Sequence, residues 1–229
     1  MFGESLEKRL YLELLRTRPD AFRNSGEESI RICLEESEIK SAEQAMRWTV
    51  RGESVEAWGS VGVLYADVFY KLVKDAVEFP DGKMGTYIRM MDANAECRGV
   101  AILPEYDGKF ILIRQYRHAT RKYHLAIPRG FGSPGVLSSV NAMREIKEEI
   151  GCEVDEITGL GSLHPDTGIL SGEVELFHAK VSGTPVAQKS EGVEDIMFVN
   201  EKTLANMIRD NVITDSFTMA AFARSILLR

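Results

Sequence analysis

Arg144-Glu145-Ile146-Lys147-Glu148-Glu149-Ile150-Gly151-Cys152 places three carboxylates on one side of a helix. At about 100° per residue, Glu145, Glu148 and Glu149 stand at i, i+3 and i+4 and are neighbours. Val140, Met143, Ile146 and Ile150 fall on the other side and are expected to form the buried stripe. Ser138 or Ser139 can cap the start, and Gly151 suits a left-handed stop. Like charges at this spacing cost roughly 0.2–0.5 kcal/mol per pair on an isolated helix. A hard divalent cation reverses that sign, because such ions favour carboxylate and phosphate oxygens. Alone, the string reads as a solvated acidic face, so its flanks decide the matter.

Gly130 lies fourteen residues before Arg144 and follows Ile127-Pro128-Arg129. The order is a strand (Phe110 to Gln115), a glycine-rich loop (Gly130, Gly132, Gly135), then the acidic helix ending in glycine. This resembles the Nudix box, the strand–loop–helix signature of hydrolases that cut nucleoside diphosphates linked to another moiety. The family pattern is Gly, five residues, Glu, seven residues, then Arg-Glu-apolar-x-Glu-Glu-x-Gly-apolar. Gly130, Arg144, Glu145, Ile146, Glu148, Glu149, Gly151 and Cys152 fill it. One position departs from it: Val136 stands where the pattern has its first Glu.

The resemblance implies an α+β fold, an α/β/α sandwich with a mixed sheet, over roughly residues 60–229. Phe79-Pro80-Asp81-Gly82-Lys83, Arg114-Gln115-Tyr116-Arg117-His118 and Ile213-Thr214-Asp215 look like the ADP-ribose pyrophosphatase branch. Pro165, thirteen residues past Cys152, is similar to a proline that this branch carries slightly further on. The implied reaction is hydrolysis of ADP-ribose to AMP and ribose 5-phosphate, with Mg²⁺ or Mn²⁺ as cofactor and a homodimer as the assembly. Alternatives are another nucleotide-sugar or dinucleotide as substrate, or a catalytically weak domain that binds a nucleotide.

Hydrolysing a diphosphate puts negative charge on the attacking and leaving oxygens, which divalent ions neutralise while lowering the pKa of bound water. By resemblance, Glu145 and Glu149 are the expected metal ligands, with Glu148 as a third and the carbonyl of Arg129 as a fourth. Arg144 orients the box by pairing with the first Glu in the family; with Val136 there, Glu148 becomes its candidate partner. Glu194, in Ser190-Glu191-Gly192-Val193-Glu194-Asp195, is assigned to water activation, with Glu191 as runner-up. Arg114, Arg117 and Gly130 are the expected substrate-binding residues, since guanidinium forks match phosphate oxygens.

The 229 residues suit one larger domain or a domain with an extension. A net charge of −7 argues against bulk binding of a phosphate backbone, hence no nucleic-acid partner. The start Met1-Phe2-Gly3-Glu4-Ser5-Leu6-Glu7-Lys8 has neither the basic head nor the apolar run of a signal peptide. No stretch approaches the length of a membrane span. Cys33, Cys97 and Cys152 are odd in number and far apart, which fits reduced thiols in a cytoplasm.

Residues 1–57 read as a helical N-terminal extension: a Leu6, Leu10, Leu14, Leu15 stripe stopped by Pro19, a stretch near Glu27–Glu36, and a third opened by a Ser41/Gln44 capping box. Twelve acidic against nine basic residues there make a poor DNA-binding surface. Residues 58–229 form the Nudix-like domain, with leading antiparallel strands over 58–95 and the catalytic core over 96–229. Strands are expected around Val61–Val73, Thr86–Met91, Arg98–Leu103, Phe110–Gln115, Glu175–Val181 and Ile196–Val199, with hairpin turns at Phe79–Lys83 and Asp107-Gly108. Closing helices are expected over Lys202–Arg209 and Phe217–Leu228.

Overall fold

A computed structural model describes residues 5–26, 29–49 and 60–228 of the chain. The boundary expected at residue 57 lies outside the described residues. The chain forms two compact units, Met1–Asn94 with Asp166–Ser171, and Ala95–Pro165 with Gly172–Arg229.

The first unit comprises α1 (Leu6–Thr17), a 3-10 turn (Pro19–Phe22), β1 (Arg31–Ile32), α2 (Glu36–Thr49), β2 (Gly62–Ala66), β3 (Tyr70–Glu78) and β4 (Met84–Asp92). β3 pairs antiparallel with β4 along its length, and with β2 and β1 towards its two ends. Two expectations for the N-terminal region need correction. Arg31 and Ile32 extend into a strand against Val77 and Glu78 instead of a helix. Ser41 is interior to α2, where its hydroxyl donates to the Ser37 carbonyl, so it caps nothing. The helix starts five residues earlier, at Glu36.

A buried carboxylate holds this unit together. Asp75 on β3 accepts from the Tyr11 hydroxyl (2.6 Å) and from Arg89 Nε on β4 (2.6 Å). Arg89 also donates to the Ala21 carbonyl and stacks over Phe22, whose ring meets Tyr11 edge-on. One charge pair thereby ties α1 and the 3-10 turn to two strands. Removing one member of a buried pair leaves the other uncompensated, at about 3–5 kcal/mol. Asp75→Ala is therefore expected to lower the unfolding free energy of this unit by that amount, checked by urea unfolding followed by circular dichroism.

The second unit contains β5 (Gly99–Tyr106), β6 (Lys109–Arg117), β7 (Lys122–Ala126), β8 (Arg129–Gly130), α3 (Ser138–Ile150), β9 (Glu153–Leu163), β10 (Val174–Ser182), β11 (Val193–Val199), α4 (Glu201–Arg209) and α5 (Ser216–Leu227). The sheet runs β11–β6–β5–β10–β9, with β5 and β10 parallel and the other pairs antiparallel. It is a mixed sheet between helices. Alternation along β5 explains the layers: Val100 and Ile102 pack with Ala142, Ile146 and Ile150 of α3, while Ala101 and Leu103 pack with Leu204, Ala221 and Phe222 of α4 and α5. Both faces are covered, so the strand is apolar throughout.

The β5–β6 hairpin turns at Asp107 and Gly108, both with positive φ, as the Asp-Gly pair requires. Beyond Phe110 the two strands part, and the chain from Lys122 to Gly130 fills the gap. β7 pairs with β6 from Ile113 to Arg117, and β8 pairs with Val100 and Ala101 of β5. β7, β8 and β9 had no clear sequence signature. Most of β9 is exposed, so its residues show no apolar alternation.

Candidate active site

The opening between β5 and β6 brings Arg129 and Gly130 under α3. The helix is turned differently from the expectation. Val140 and Met143 are exposed, whereas Asn141, Ala142, Glu145, Ile146, Glu149 and Ile150 form its buried face. Glu145 is 7% exposed and Glu149 5%. The stripe at i, i+3, i+4, i+7 is real, but two of its members are carboxylates. The cap differs too: Leu137 precedes the helix without a side-chain hydrogen bond, and Ser138 and Ser139 are inside it. Gly151 ends it at φ 69°.

Gly130 makes room for Glu145. A Cβ there would lie 2.1 Å from Glu145 Cδ and 2.2 Å from its Oε1. A Cβ on Gly132 would instead meet the backbone oxygen of Arg98 at 2.3 Å. The loop between Gly132 and α3 is held by Asn141, whose Oδ1 accepts from Ser133 N and whose Nδ2 donates to the Val136 carbonyl. Val136 itself is 40% exposed, so no apolar pocket accounts for it.

Arg144 pairs with Glu148 through Nη1 (2.6 Å) and with Glu145 through Nη2 (2.6 Å), and reaches the Phe131 carbonyl at 3.1 Å. Without a first box Glu, its guanidinium takes two carboxylates of the helix itself. Glu148 is the exposed member of the three.

Opposite Glu149 stand side chains from three other elements. Arg129 N donates to Glu149 Oε2 (3.2 Å), and Gln115 Nε2 lies 3.4 Å from Glu149 Oε1. The Arg129 guanidinium pairs with Asp215 at 3.3 Å and lies over Phe217. Asp215 caps α5 through Thr218 N, and the Thr218 hydroxyl accepts from Ile127 N, which anchors the loop before Gly130. Arg117 is close enough for Glu149, Asp215 and Arg129 all to act on its charge. Sequence reading named Gln115 and Asp215 only within stretches of family resemblance and Phe217 only as a helix start, and gave none of them a role in the site. The Asp-Ser-Phe-Thr string from 215 is a helix-cap pattern that marks Asp215 as structural, and only the fold shows that its second oxygen faces Arg129.

The structure does not bring every expected residue to this group. Arg114 alternates with Gln115 on β6 and stacks on Tyr123 at 3.8 Å. Glu194 is exposed at a bulge where β11 shifts register against β6, with Lys189 at 4.0 Å. Glu191 is the loop carboxylate whose charge acts on Glu145.

Burial pushes Glu149 up to about 7; the neighbouring Glu145 charge adds to the rise, against the hydrogen bond from Arg129 N. Burial also raises Glu145, opposed by Arg144. Arg117 is lowered by burial and by Arg129. Two buried carboxylates that repel each other provide hard oxygen donors, and extra positive charge would relieve both penalties. The residues fit a hard divalent cation. Among the described residues no cluster of three Asp, Glu, His or Cys side chains is ready-formed, and Arg144 occupies Glu145 and Glu148.

The NUDIX domain family model matches residues 96–218. The chain belongs to the Nudix family. It is 34% identical to ADP compounds hydrolase NudE of Escherichia coli (strain K12) over 104 residues, 45% of this chain and 55% of that protein. It therefore spans only about half of that relative's length. It is 31% identical to the methanol dehydrogenase activator of Bacillus methanolicus over 66% of this chain and 82% of that protein. With ADP-ribose pyrophosphatase of Bacillus subtilis (strain 168) it shares 25% identity over 60% of this chain and 73% of that one. The fold of the Nudix chain matches a crystal structure of an ADP compounds hydrolase at TM-score 0.64 and 21% identity, covering 74% of this chain and 91% of the other.

The two loop glycines of this Nudix box separate function from stability. In Gly130→Ala the new Cβ meets a mobile carboxylate end, so Glu145 should swing out while the melting temperature stays within a few degrees. In Gly132→Ala it meets a backbone carbonyl, at a cost of about 1–3 kcal/mol. Thermal melts and metal titrations of both variants check this. A second expectation follows from Glu149. Its folded pKa lies above its unfolded one, so its ionisation destabilises the fold as pH rises from the ordinary value of 4.5 to about 7. The full cost, roughly 3 kcal/mol, is present above that range and absent below it. Glu149→Gln should therefore raise the melting temperature at pH 8 in chelator, with the gain shrinking towards pH 5.

Proposed function

We propose that the protein hydrolyses a nucleoside diphosphate linked to a second moiety, with ADP-ribose cut to AMP and ribose 5-phosphate as the reaction. The observation that carries this reading is the buried pair Glu145 and Glu149, facing Arg117 and Arg129 across a gap in the sheet. From Arg114 to Arg129 the chain carries Arg114, Arg117, Arg121, Lys122 and Arg129 and no acidic residue, in a protein of net charge −7. That local excess suits an anionic substrate. The relatives named as acting on ADP compounds and ADP-ribose support this substrate class.

Glu145, Glu149 and Glu148, with the Arg129 carbonyl, would hold a divalent ion, Mg²⁺ or Mn²⁺. Bound there, it neutralises diphosphate charge and acidifies water. Arg144 would have to release Glu145 and Glu148 as the ion enters. Arg117 and Arg129 orient the diphosphate through guanidinium forks, and Gly130 keeps the loop close enough for Glu145 to share the site. Arg114 supports the hairpin from its other face by stacking on Tyr123. Water activation falls to a carboxylate of the 190s loop. Glu194 is the residue the sequence assigns, but Glu191 has the better claim, since its charge already reaches Glu145.

A homodimer is proposed on the exposed Tyr65, Val68, Phe69, Tyr87 and Ile88 of the first unit, side chains that a second copy would shield. Sedimentation checks it. Cytoplasmic residence rests on three free cysteines, two of them buried. No helix among the described residues is long and apolar enough to cross a membrane.

The test is release of AMP from a panel of nucleoside diphosphate compounds with and without Mg²⁺ or Mn²⁺. ADP-ribose should be turned over only with metal, and Glu149→Gln should nearly abolish turnover. No release from any compound would favour a binding role, which the relative named as an activator brings to mind. Within the loop, Glu191→Gln and Glu194→Gln should separate, the base losing about 10²–10⁴-fold in kcat with little change in KM. Equal, small effects would remove both from the reaction.

A further inference from the structure

Alternation along β6 turns Ile111, Ile113 and Gln115 towards α3. The two isoleucines join the apolar layer under that helix, and Gln115 interrupts the run with a buried amide. Its nitrogen donates to the Glu191 carbonyl (3.0 Å) and lies 3.4 Å from Glu149 Oε1. Two acceptors at one end settle the orientation of the amide, because the reversed group would set its oxygen against both. The oxygen is left buried without a donor among the described residues. An unmet buried acceptor costs roughly 1–3 kcal/mol, which an apolar side chain in this place would avoid. What the nitrogen holds therefore has to account for the residue.

It holds a turn. Lys189–Glu191 form a single 3-10 turn that leads into β11. The chain before it is fastened to the end of α3, where Val186 N donates to the Ile150 carbonyl and Gln188 N to the Glu149 carbonyl. Inside the turn, Glu191 N and Gly192 N donate back to the Gln188 and Lys189 carbonyls. Gly192, at φ 74°, then releases the chain into β11, whose first residue Val193 pairs with Gln115. The Glu191 carbonyl is the point at which a side chain from the sheet grips the turn. Its own carboxylate acts on Glu145. Glu194 is outside this arrangement: the β11 register passes from Val193 to Asp195 and leaves it on the bulge, exposed beside Lys189. Gln115 thus links the box helix to one loop carboxylate and not to the other.

We propose that Gln115 is a positioning residue for hydrolysis, its amide nitrogen fixing the Glu191 backbone against the box helix so that the Glu191 carboxylate stands where it takes a proton from the attacking water. This rests on the hydrolase reading above. Gln115 itself touches neither substrate nor water, and its whole effect on the reaction runs through Glu191.

The test is a double-mutant cycle on AMP release from ADP-ribose with Mg²⁺, using variants that keep the wild-type circular dichroism. Gln115→Met retains the length of the side chain and removes the donor. Alone it should lower kcat about 100-fold, the scale of a group misplaced by about 1 Å, with KM near wild type. In a Glu191→Gln background the same change should cost less than about 3-fold, because the group it positions is already gone. In a Glu194→Gln background the full loss should reappear. If Gln115→Met fails to fold, Gln115→Asn, which withdraws the amide by one methylene, is held to the same pattern. A loss that persists undiminished beside Glu191→Gln overturns the proposal and leaves Gln115 acting on Glu149 or on the sheet alone. So does a loss that vanishes beside Glu194→Gln, or an unchanged kcat in Gln115→Met. A wild-type protein that releases no AMP from any compound overturns the hydrolase reading and this proposal with it, whereas an additive cycle in an active protein overturns this proposal alone.

Discussion

The carboxylate of Glu145 occupies the space where any residue other than glycine at 130 would place its Cβ, and Glu149 lies one helical turn further on, buried beside it. Burying two like charges on a helix that must also supply core contacts is unfavourable unless the surroundings supply partners. Much of the second unit is arranged to do so. Arg144 spans Glu145 and Glu148, the backbone N–H of Arg129 reaches Glu149, Gln115 comes up from the sheet, and Arg117 adds positive charge from the same strand. The pKa of Glu149 shows that this compensation is incomplete in the protein alone. An incompletely compensated pair of buried carboxylates is a place where a cation gains by binding.

The sheet provides the room. β5 and β6 begin as a tight hairpin and part after Phe110, so that the returning chain can pair with each of them in turn. That insertion carries Pro128 to Gly130 to the end of β5, directly beneath α3. Asp215 secures the arrangement from the far face: it caps α5, pairs with Arg129, and acts through Thr218 on the backbone of Ile127. Helices on opposite faces of the sheet therefore converge on one loop.

Val136 changes the local balance without loosening the loop. In the family the first box Glu pairs with the arginine, and here that arginine turns to the helix carboxylates. The loop is held instead by the side-chain amide of Asn141, an interaction independent of charge. A cation at these carboxylates would have to compete with the Arg144 guanidinium.

Spacing in the sequence determined the box, its helix and its glycine stop, because i, i+3, i+4 neighbours follow from helix geometry alone. Alternation and turn chemistry likewise determined the Asp107-Gly108 hairpin and the apolar run of β5. What spacing could not decide was which side of α3 faces inward. Two apolar residues and two carboxylates competed for the core, and burial went to Glu145 and Glu149 because partners from Arg129, Gln115 and Arg117 meet them there. Arg129 directly precedes the box glycine, but Gln115 and Arg117 come from a separate strand, and no pattern within the box announces them. The same holds for Arg114 and Arg117, three apart on one strand: alternation puts them on opposite faces, and only tertiary packing decides that Arg117 faces the carboxylates and Arg114 a tyrosine.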